Sequence, residues 1–348
     1  MRITGNPSHV KQLEAFELLT RMIEGAQKIV LCAHTGPDGD ALGSVLAMGA
    51  IIREAFDEDK DVACLLADES AIPATYEFLP EAKSFVRPSQ YEEDPDLFIA
   101  LDLPCASRLA AARPIMERSA TVAVVDHHPA DGSFGEPHIE RTDAAATGVV
   151  VAEYALFLGT PITSEIATDL FCAIQTDTGR FMYQNANPEA FKIASLLVDS
   201  GADPSEISLH VYQSFRLPYL HLESIVMGRI VTLDHGRIAY SYATRRDLER
   251  TGAKDDECDG LIDVVRSVRG SEVALFLKEG STPGIVRGNL RAKGDLDVSG
   301  IARAMGGGGH KAAAGFSVEG TVDDVFARVF PLLRALVAKS SSKNEAAS

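Results

Sequence analysis

Short apolar runs of five or six residues recur through the first 130 positions, separated by longer mixed stretches. Residues 28–33 (KIVLCA), 62–66, 97–101 and 121–125 are such runs. They show little polar alternation, which predicts strands buried on both faces, as in a parallel sheet covered by helices. Between them lie loops and helical patterns, of which 41–56 is the clearest helix. The longest apolar stretch, 144–159, contains Glu153. It is shorter than a bilayer span and reads as a buried helix. Residues 163–228 read as mostly helical, with Asn187-Pro188 and Asp203-Pro204 as helix starts.

The pattern changes near Arg229. Residues 230–233 and 237–243 flank Asp234-His235-Gly236, a hairpin turn. Two further β-rich runs follow at 272–277 and 285–291. A final helix over 322–337 precedes a polar tail, KSSSKNEAAS, whose composition predicts disorder. The expected organisation is a first domain over 1–200, a helical linker over 201–228, a second domain over 229–338 and a disordered tail over 339–348.

Composition narrows the class. Of 348 residues, 46% are hydrophobic and 24% charged, which describes a globular chain and not a disordered one. Lys and Arg number 33 against 50 Asp and Glu, a net charge of −17. Such an excess of acid argues against a protein that coats long nucleic acid or a polybasic membrane binder. Five cysteines without a CxxC pair predict reduced thiols in a cytoplasm, not a disulfide framework. The first residues lack a basic segment followed by an apolar core, so no secretory signal is expected.

The chemistry lies where the apolar runs stop. After 28–33 comes His34-Thr35-Gly36-Pro37-Asp38-Gly39-Asp40. After 97–101 comes Asp102. After 121–125 comes Asp126-His127-His128. Asp177 sits in the helix-like run FCAIQTDTGRF. Parallel sheets gather their active sites at the carboxyl ends of strands, which is where three of these stretches fall. Any one of these residues alone reads more readily as a turn, a helix cap or a structural histidine. Together they supply the carboxylates and imidazoles that suit Mn²⁺, Mg²⁺ or Zn²⁺. Several acids at one rim repel one another. Two divalent ions roughly 3.5–4 Å apart would relieve that repulsion and bind a phosphoryl group.

These stretches, with Gly39 to Ser44 and Asp177-Thr178-Gly179, resemble the four motifs of the DHH phosphoesterase superfamily. The run Gly306-Gly307-Gly308-Gly309-His310 and the segment through Gly315 resemble the glycine-rich signature of the DHHA1 accessory domain. The resemblance covers roughly residues 10–335, and the ordered set is similar to the NrnA-type group. It implies an α/β fold: a parallel-sheet DHH domain, then a smaller α/β DHHA1 domain with a mixed sheet, with a cleft between them. It implies hydrolysis of short RNA oligonucleotides and of 3′-phosphoadenosine 5′-phosphate (pAp), with linear or cyclic dinucleotides as the alternative substrates. It further implies two divalent metal ions, manganese first, with magnesium or cobalt as alternatives. His34, Asp38 and Asp102 would hold one ion. Asp40, Asp102, His127 and Asp177 would hold the other. His128 would face the substrate phosphate, and Asp126 would orient a histidine.

In the second domain, glycines let backbone N–H groups approach an anion, so Gly307, Gly308, Gly309 and His310 are candidate substrate contacts. If 285–291 is a strand, Arg287, Asn289 and Arg291 share one face. Arg291 matches the substrate-contacting arginine of the family. A solvated face remains the alternative for Arg287. Arg108 fits a phosphate neighbour, or else a cap on a surface helix. The manganese pyrophosphatases share the first set of motifs but carry a Ser-Arg-Lys-Lys-Gln signature that this chain lacks. A non-enzymatic nucleotide-binding module is the reading from another class, and the intact acid and histidine set disfavours it. No membrane partner is expected. A homodimer through the helical middle is compatible with these residues but not required by them.

Overall fold

The computed structural model describes residues 7–346, apart from 57, 58, 131, 133, 259, 281 and 310. It divides into two compact units, 1–214 and 215–348. The first is built on a sheet of β1 (Lys28–Cys32), β2 (Asp61–Leu65), β3 (Leu97–Leu101), β4 (Thr121–Asp126) and β5 (His138–Glu140). The strand order is β2-β1-β3-β4-β5 and every pairing is parallel. The lack of polar alternation has a direct cause. Ile29, Leu31, Ile99 and Val125 pack into one apolar cluster, while Val30, Cys32, Phe98 and Val124 pack into another on the opposite face.

Helices α1 (Pro7–Gly25), α2 (Gly39–Ala55), α3 (Arg113–Glu117), α4 (Thr147–Leu158), α5 (Ser164–Asp177), α6 (Pro188–Asp199) and α7 (Pro204–Tyr212) complete this unit. Asn187 caps α6 and Asp203 caps α7, each immediately before a proline, as their sequence predicts. Two glycines of α2 set the spacing to α5. A Cβ on Gly43 would lie 2.4 Å from the Asp169 carbonyl oxygen, and one on Gly39 would lie 2.5 Å from Thr176 Oγ1. The two helices therefore meet backbone to backbone at the end that carries Asp40 and Asp177.

The second unit contains α8 (Leu217–Gly228), β6 (Val231–Leu233), β7 (Ile238–Ala243), α9 (Arg245–Thr251), α10 (Leu261–Arg266), β8 (Val273–Glu279), β9 (Ile285–Ala292), α11 (Ser299–Ala304), β10 (Gly308–Gly309), β11 (Ala313–Glu319) and α12 (Val322–Ala346). Its sheet runs β10-β11-β9-β8-β7-β6 and is mixed, since β7 and β8 pair in parallel and the remaining pairs are antiparallel. One face packs on α11 and α12. On the other face, α8, α9 and α10 cover Ala239, Ala243, Ala274 and Phe276 of β7 and β8.

Two features differ from the sequence expectations. The stretch 201–228 is divided between the units: α7 belongs to the first, and α8 packs in the core of the second. Helix α12 continues to Ala346 through most of the segment whose composition predicts disorder. That segment contains no glycine or proline to stop a helix already nucleated upstream. Residues 347 and 348 lie outside the described residues. Among the described residues, no helix is long and apolar enough to cross a membrane.

Candidate metal centre

The parallel sheet delivers its acids and histidines to one rim. His34 follows β1, Asp102 follows β3, Asp126 ends β4, and His127 and His128 come next. Asp38 and Asp40 open α2, and Asp177 closes α5. Donor atoms of His34, Asp38 and Asp102 lie within 4.8 Å of one another, as do those of Asp40, His127 and Asp177. Asp102 touches both groups. Its Oδ2 lies 3.4 Å from His34 Nε2, and its Oδ1 lies 3.6 Å from His127 Nε2. His127 Nε2 is also 3.7 Å from Asp40 and 3.8 Å from Asp177.

Local structure explains each orientation. Asp38 is the N-cap of α2 and accepts N–H donors from Asp40 and Ala41, both at 3.1 Å. Asp40 caps a different helix. It accepts the N–H of Thr147 at 2.7 Å and of Gly148 at 2.9 Å, at the start of α4, where Ala146 has no capping side chain. Both acids thus sit at the positive ends of helices. The two imidazoles are set alike. His34 Nδ1 lies 3.0 Å from the Thr35 carbonyl and His127 Nδ1 lies 3.4 Å from the Ala144 carbonyl. Donation from Nδ1 leaves Nε2 as the atom turned to the carboxylates, the usual arrangement of metal-ligating histidines. Asp102 has φ +55°, in the left-handed region. This backbone turns its carboxylate back over the sheet edge, where Thr147 Oγ1 donates to it at 3.1 Å.

Asp40 and Asp102 are 1% and 2% exposed. Among the described residues, their ion-pairing partners are histidines, not lysine or arginine. Burial, then the Asp102 carboxylate, pushes the Asp40 carboxyl well above its usual range. Burial would raise Asp102 too, but hydrogen bonds from His128 and His34 hold it well below. Burial disfavours charge on His128, but contacts with Asp102 and Asp126 outweigh it and push its pKa up to about 11. Two oxygen-rich groups meeting at one shared carboxylate, with imidazoles presenting Nε2, fit divalent ions.

The remaining expected residues divide into three groups. Asp126 is fully buried; its Oδ1 accepts from His128 Nδ1 at 2.8 Å and from the His128 backbone N–H at 3.0 Å. Arg108 Nη2 lies 3.3 Å from His34 Nδ1, at the edge of the centre. The glycine run and Arg291 lie in the second unit, and His310 lies outside the described residues. Most of the glycines have a reason within the fold. Gly306, with φ +81°, follows the end of α11. A Cβ on Gly307 would lie 2.1 Å from the Gly315 carbonyl oxygen, and one on Gly309 would lie 2.6 Å from that of Ala313. Gly308 differs, because a Cβ there would meet nothing within 4 Å. Arg291 donates from Nη1 to the Leu290 carbonyl at 3.1 Å, and its Nε is buried without a partner.

Four supporting residues escaped the sequence reading. Thr147 joins Asp40 to Asp102. Asp68 follows β2 as Asp102 follows β3, and accepts the Thr35 hydroxyl beside His34. Its place after an apolar run was the available signal. Arg141 gathers Asp143, Glu153 and Glu189 behind the centre. Asn185 Nδ2 lies 3.2 Å from Asp177 Oδ2, 3.1 Å from the Asp177 carbonyl and 2.9 Å from the Ala145 carbonyl. A carboxylate at the end of a helix faces the negative pole of its dipole, so Asp177 depends on such a donor. Asn185→Ala is expected to weaken metal binding about 10- to 100-fold. Calorimetric titration of the folded variant checks this, and unchanged affinity would remove the positioning role.

Comparison with known proteins gives a consistent family. The model of the DHH family, N-terminal domain, matches residues 28–197, and that of the DHHA1 domain matches 235–339. The chain is 30% identical over 337 residues to the bifunctional oligoribonuclease and PAP phosphatase NrnA of Thermus thermophilus, covering 95% of this chain and 97% of that protein. It is 27% identical to the Bacillus subtilis protein of the same name, covering 86% and 92% respectively. Among solved structures, an exopolyphosphatase-related protein from Bacteroides fragilis superposes with a TM-score of 0.83 at 24% identity, covering 93% of this chain and 96% of that one.

Proposed function

Since this chain belongs to the DHH family and carries a DHHA1 domain, we propose that it is a phosphohydrolase of short RNA oligonucleotides that also removes the 3′-phosphate of pAp. The observation that carries this reading is the convergence of His34, Asp38, Asp40, Asp102, His127 and Asp177 from four separate stretches of the chain. The names of the two relatives above support the substrate class. His34, Asp38 and Asp102 would hold one divalent ion, and Asp40, Asp102, His127 and Asp177 the other, with manganese as the first candidate. When bound, such ions supply Lewis acidity and lower the pKa of a nucleophilic water.

The protein's own groups do the rest. Asp126 accepts from His128 Nδ1 and so orients the ring; when protonated, His128 would donate from Nε2 to a phosphoryl oxygen and offset charge that builds there. Arg108 supplies a guanidinium at the same rim. Arg291 and the exposed backbone at Gly308 take the nucleotide portion of the substrate. Gly308 gives a clean test, because the fold does not need its missing Cβ. Gly308→Ala should raise KM about tenfold with an unchanged melting temperature. Wild-type KM would remove the loop from the binding site.

The reaction class is tested with purified protein and Mn²⁺, offered a labelled RNA dinucleotide, pAp, pyrophosphate and cyclic di-AMP side by side. Release of mononucleotide from RNA and of phosphate from pAp is expected. Turnover of pyrophosphate or cyclic di-AMP alone would overturn the assignment.

A further inference from the structure

Strand β9 alternates buried and accessible positions: Val286, Gly288, Leu290 and Ala292 point into the core, and Arg287, Asn289 and Arg291 point the other way. The helices that cover this second face pack mainly on β7 and β8; α10 also reaches β9, but no residue of β9 or β11 joins their apolar core. The facing positions of β11 are Ala313, Gly315 and Ser317, all small. The result is an accessible strip of sheet with an arginine at each end.

The two ends differ. The glycine run stands beside the Arg291 end, since Gly308 pairs with Gly315, and Gly315 pairs with Asn289. Arg287 lies beyond it, opposite Ser317 on one side and Lys278 on the other. The arginines are four positions apart on the strand, a span of about 13 Å. Among the described residues, neither guanidinium has a carboxylate partner, whereas Arg141, Arg229 and Arg237 all do. Lys278 is itself buried, donates to the Asp255 carbonyl at 2.7 Å and lies 4.0 Å from the Asp255 carboxylate, so its charge is compensated and Arg287 is the uncompensated cation at this end. The strip closes with Glu319, opposite Ile285, an acid that would repel any phosphate further along.

We propose that Arg287 is a second phosphate subsite, distinct from the Arg291 end, that engages only oligonucleotides and so sets a length preference. This rests on the oligonucleotide reading above and extends it. Successive phosphates of a single strand lie farther apart than the axial rise of about 3.4 Å per nucleotide, so a span of about 13 Å is bridged by a few nucleotides and not by one. A nucleoside bisphosphate occupies the Arg291 end alone. A tetra- or pentanucleotide also places a phosphodiester against Arg287, whose planar fork suits two of its oxygens.

The experiment measures binding of fluorescent RNA di- and pentanucleotides in EDTA, where turnover cannot intervene. The observable is the ratio of the two dissociation constants. Arg287→Ala should lower the wild-type preference for the pentanucleotide about tenfold, the worth of one charge-assisted contact. Arg287→Lys should restore part of it, and the salt dependence of pentanucleotide binding should lose about 0.7 in slope. An unchanged ratio in Arg287→Ala, with or without weaker binding overall, would overturn the subsite. Length-dependent binding without turnover of any RNA in Mn²⁺ would instead retain the subsite and overturn the hydrolase reading.

Discussion

Asp102→Asn is expected to lower kcat by about 10⁴-fold, the scale seen when one member of a catalytic unit is removed. Asparagine is the informative replacement. Asp102 holds φ +55°, which asparagine tolerates better than other non-glycine residues, whereas alanine would add backbone strain to the loss of charge. The change therefore isolates the carboxylate that faces both His34 and His127. Metal titration should show both ions weakened together, because each donor group loses the same residue. Turnover within tenfold of wild type at saturating metal would exclude a shared ligand. Loss of one ion alone would place Asp102 in a single site.

The second large effect is on stability. Arg141 is 8% exposed. It donates to Asp143 at 2.8 Å, to Glu153 at 2.6 Å, to Glu189 at 2.9 Å and to Gln12 at 3.0 Å. Arg141→Met keeps much of the volume but leaves Glu153 and Glu189 facing each other without a cation. Breaking a buried pair in this way costs about 3–5 kcal/mol. For a unit of this size, that is a fall of roughly 10 °C in its melting temperature. The deficit should depend on pH with a definite sign. Burial, then repulsion from Glu153, already raises the Glu189 pKa in the folded protein. Without Arg141 it rises further, so the folded state binds more protons than the unfolded one. The variant is then most stable below the ordinary carboxylate range and loses stability as pH rises through the raised value. Calorimetry across pH 4 to 8 checks this. A constant deficit across that range would point to lost packing, not to stranded charge.

What could be read from the sequence follows the physics of each element. Strands β1, β3 and β4 are continuous apolar runs because both of their faces are covered, and such runs stand out. Strand β11 gives no clear strand signal. Its Ala313, Ala314 and Gly315 have low strand propensity, and only Phe316 and Val318 carry the alternation. Strand β5 is three residues long and exists by pairing with β4. The acids and histidines were legible because they cluster at strand ends. Their supports were not. Thr147 acts on Asp40 through its backbone, which no side chain announces. Asn185 and Arg141 reach partners far away in sequence. In sequence the glycine run looks like one anion loop, yet the structure gives Gly307 and Gly309 packing duties against β11. A one-dimensional pattern cannot separate those duties from ligand contact.

The order in which the proposed ligands appear along the chain has a consequence for synthesis. They begin at His34 and end at Asp177, and every one lies in the first unit. A nascent chain that has passed β4 already displays His34, Asp38, Asp40, Asp102 and His127, but it lacks Asp177 and the α5 seam against Gly39 and Gly43. Parallel pairings of this kind form late and cooperatively. Until α5 has left the ribosome, α2 lacks its partner and the proposed ligands are incomplete. Capture of any ion by the proposed ligands would then await completion of the first unit, while the second is still being translated.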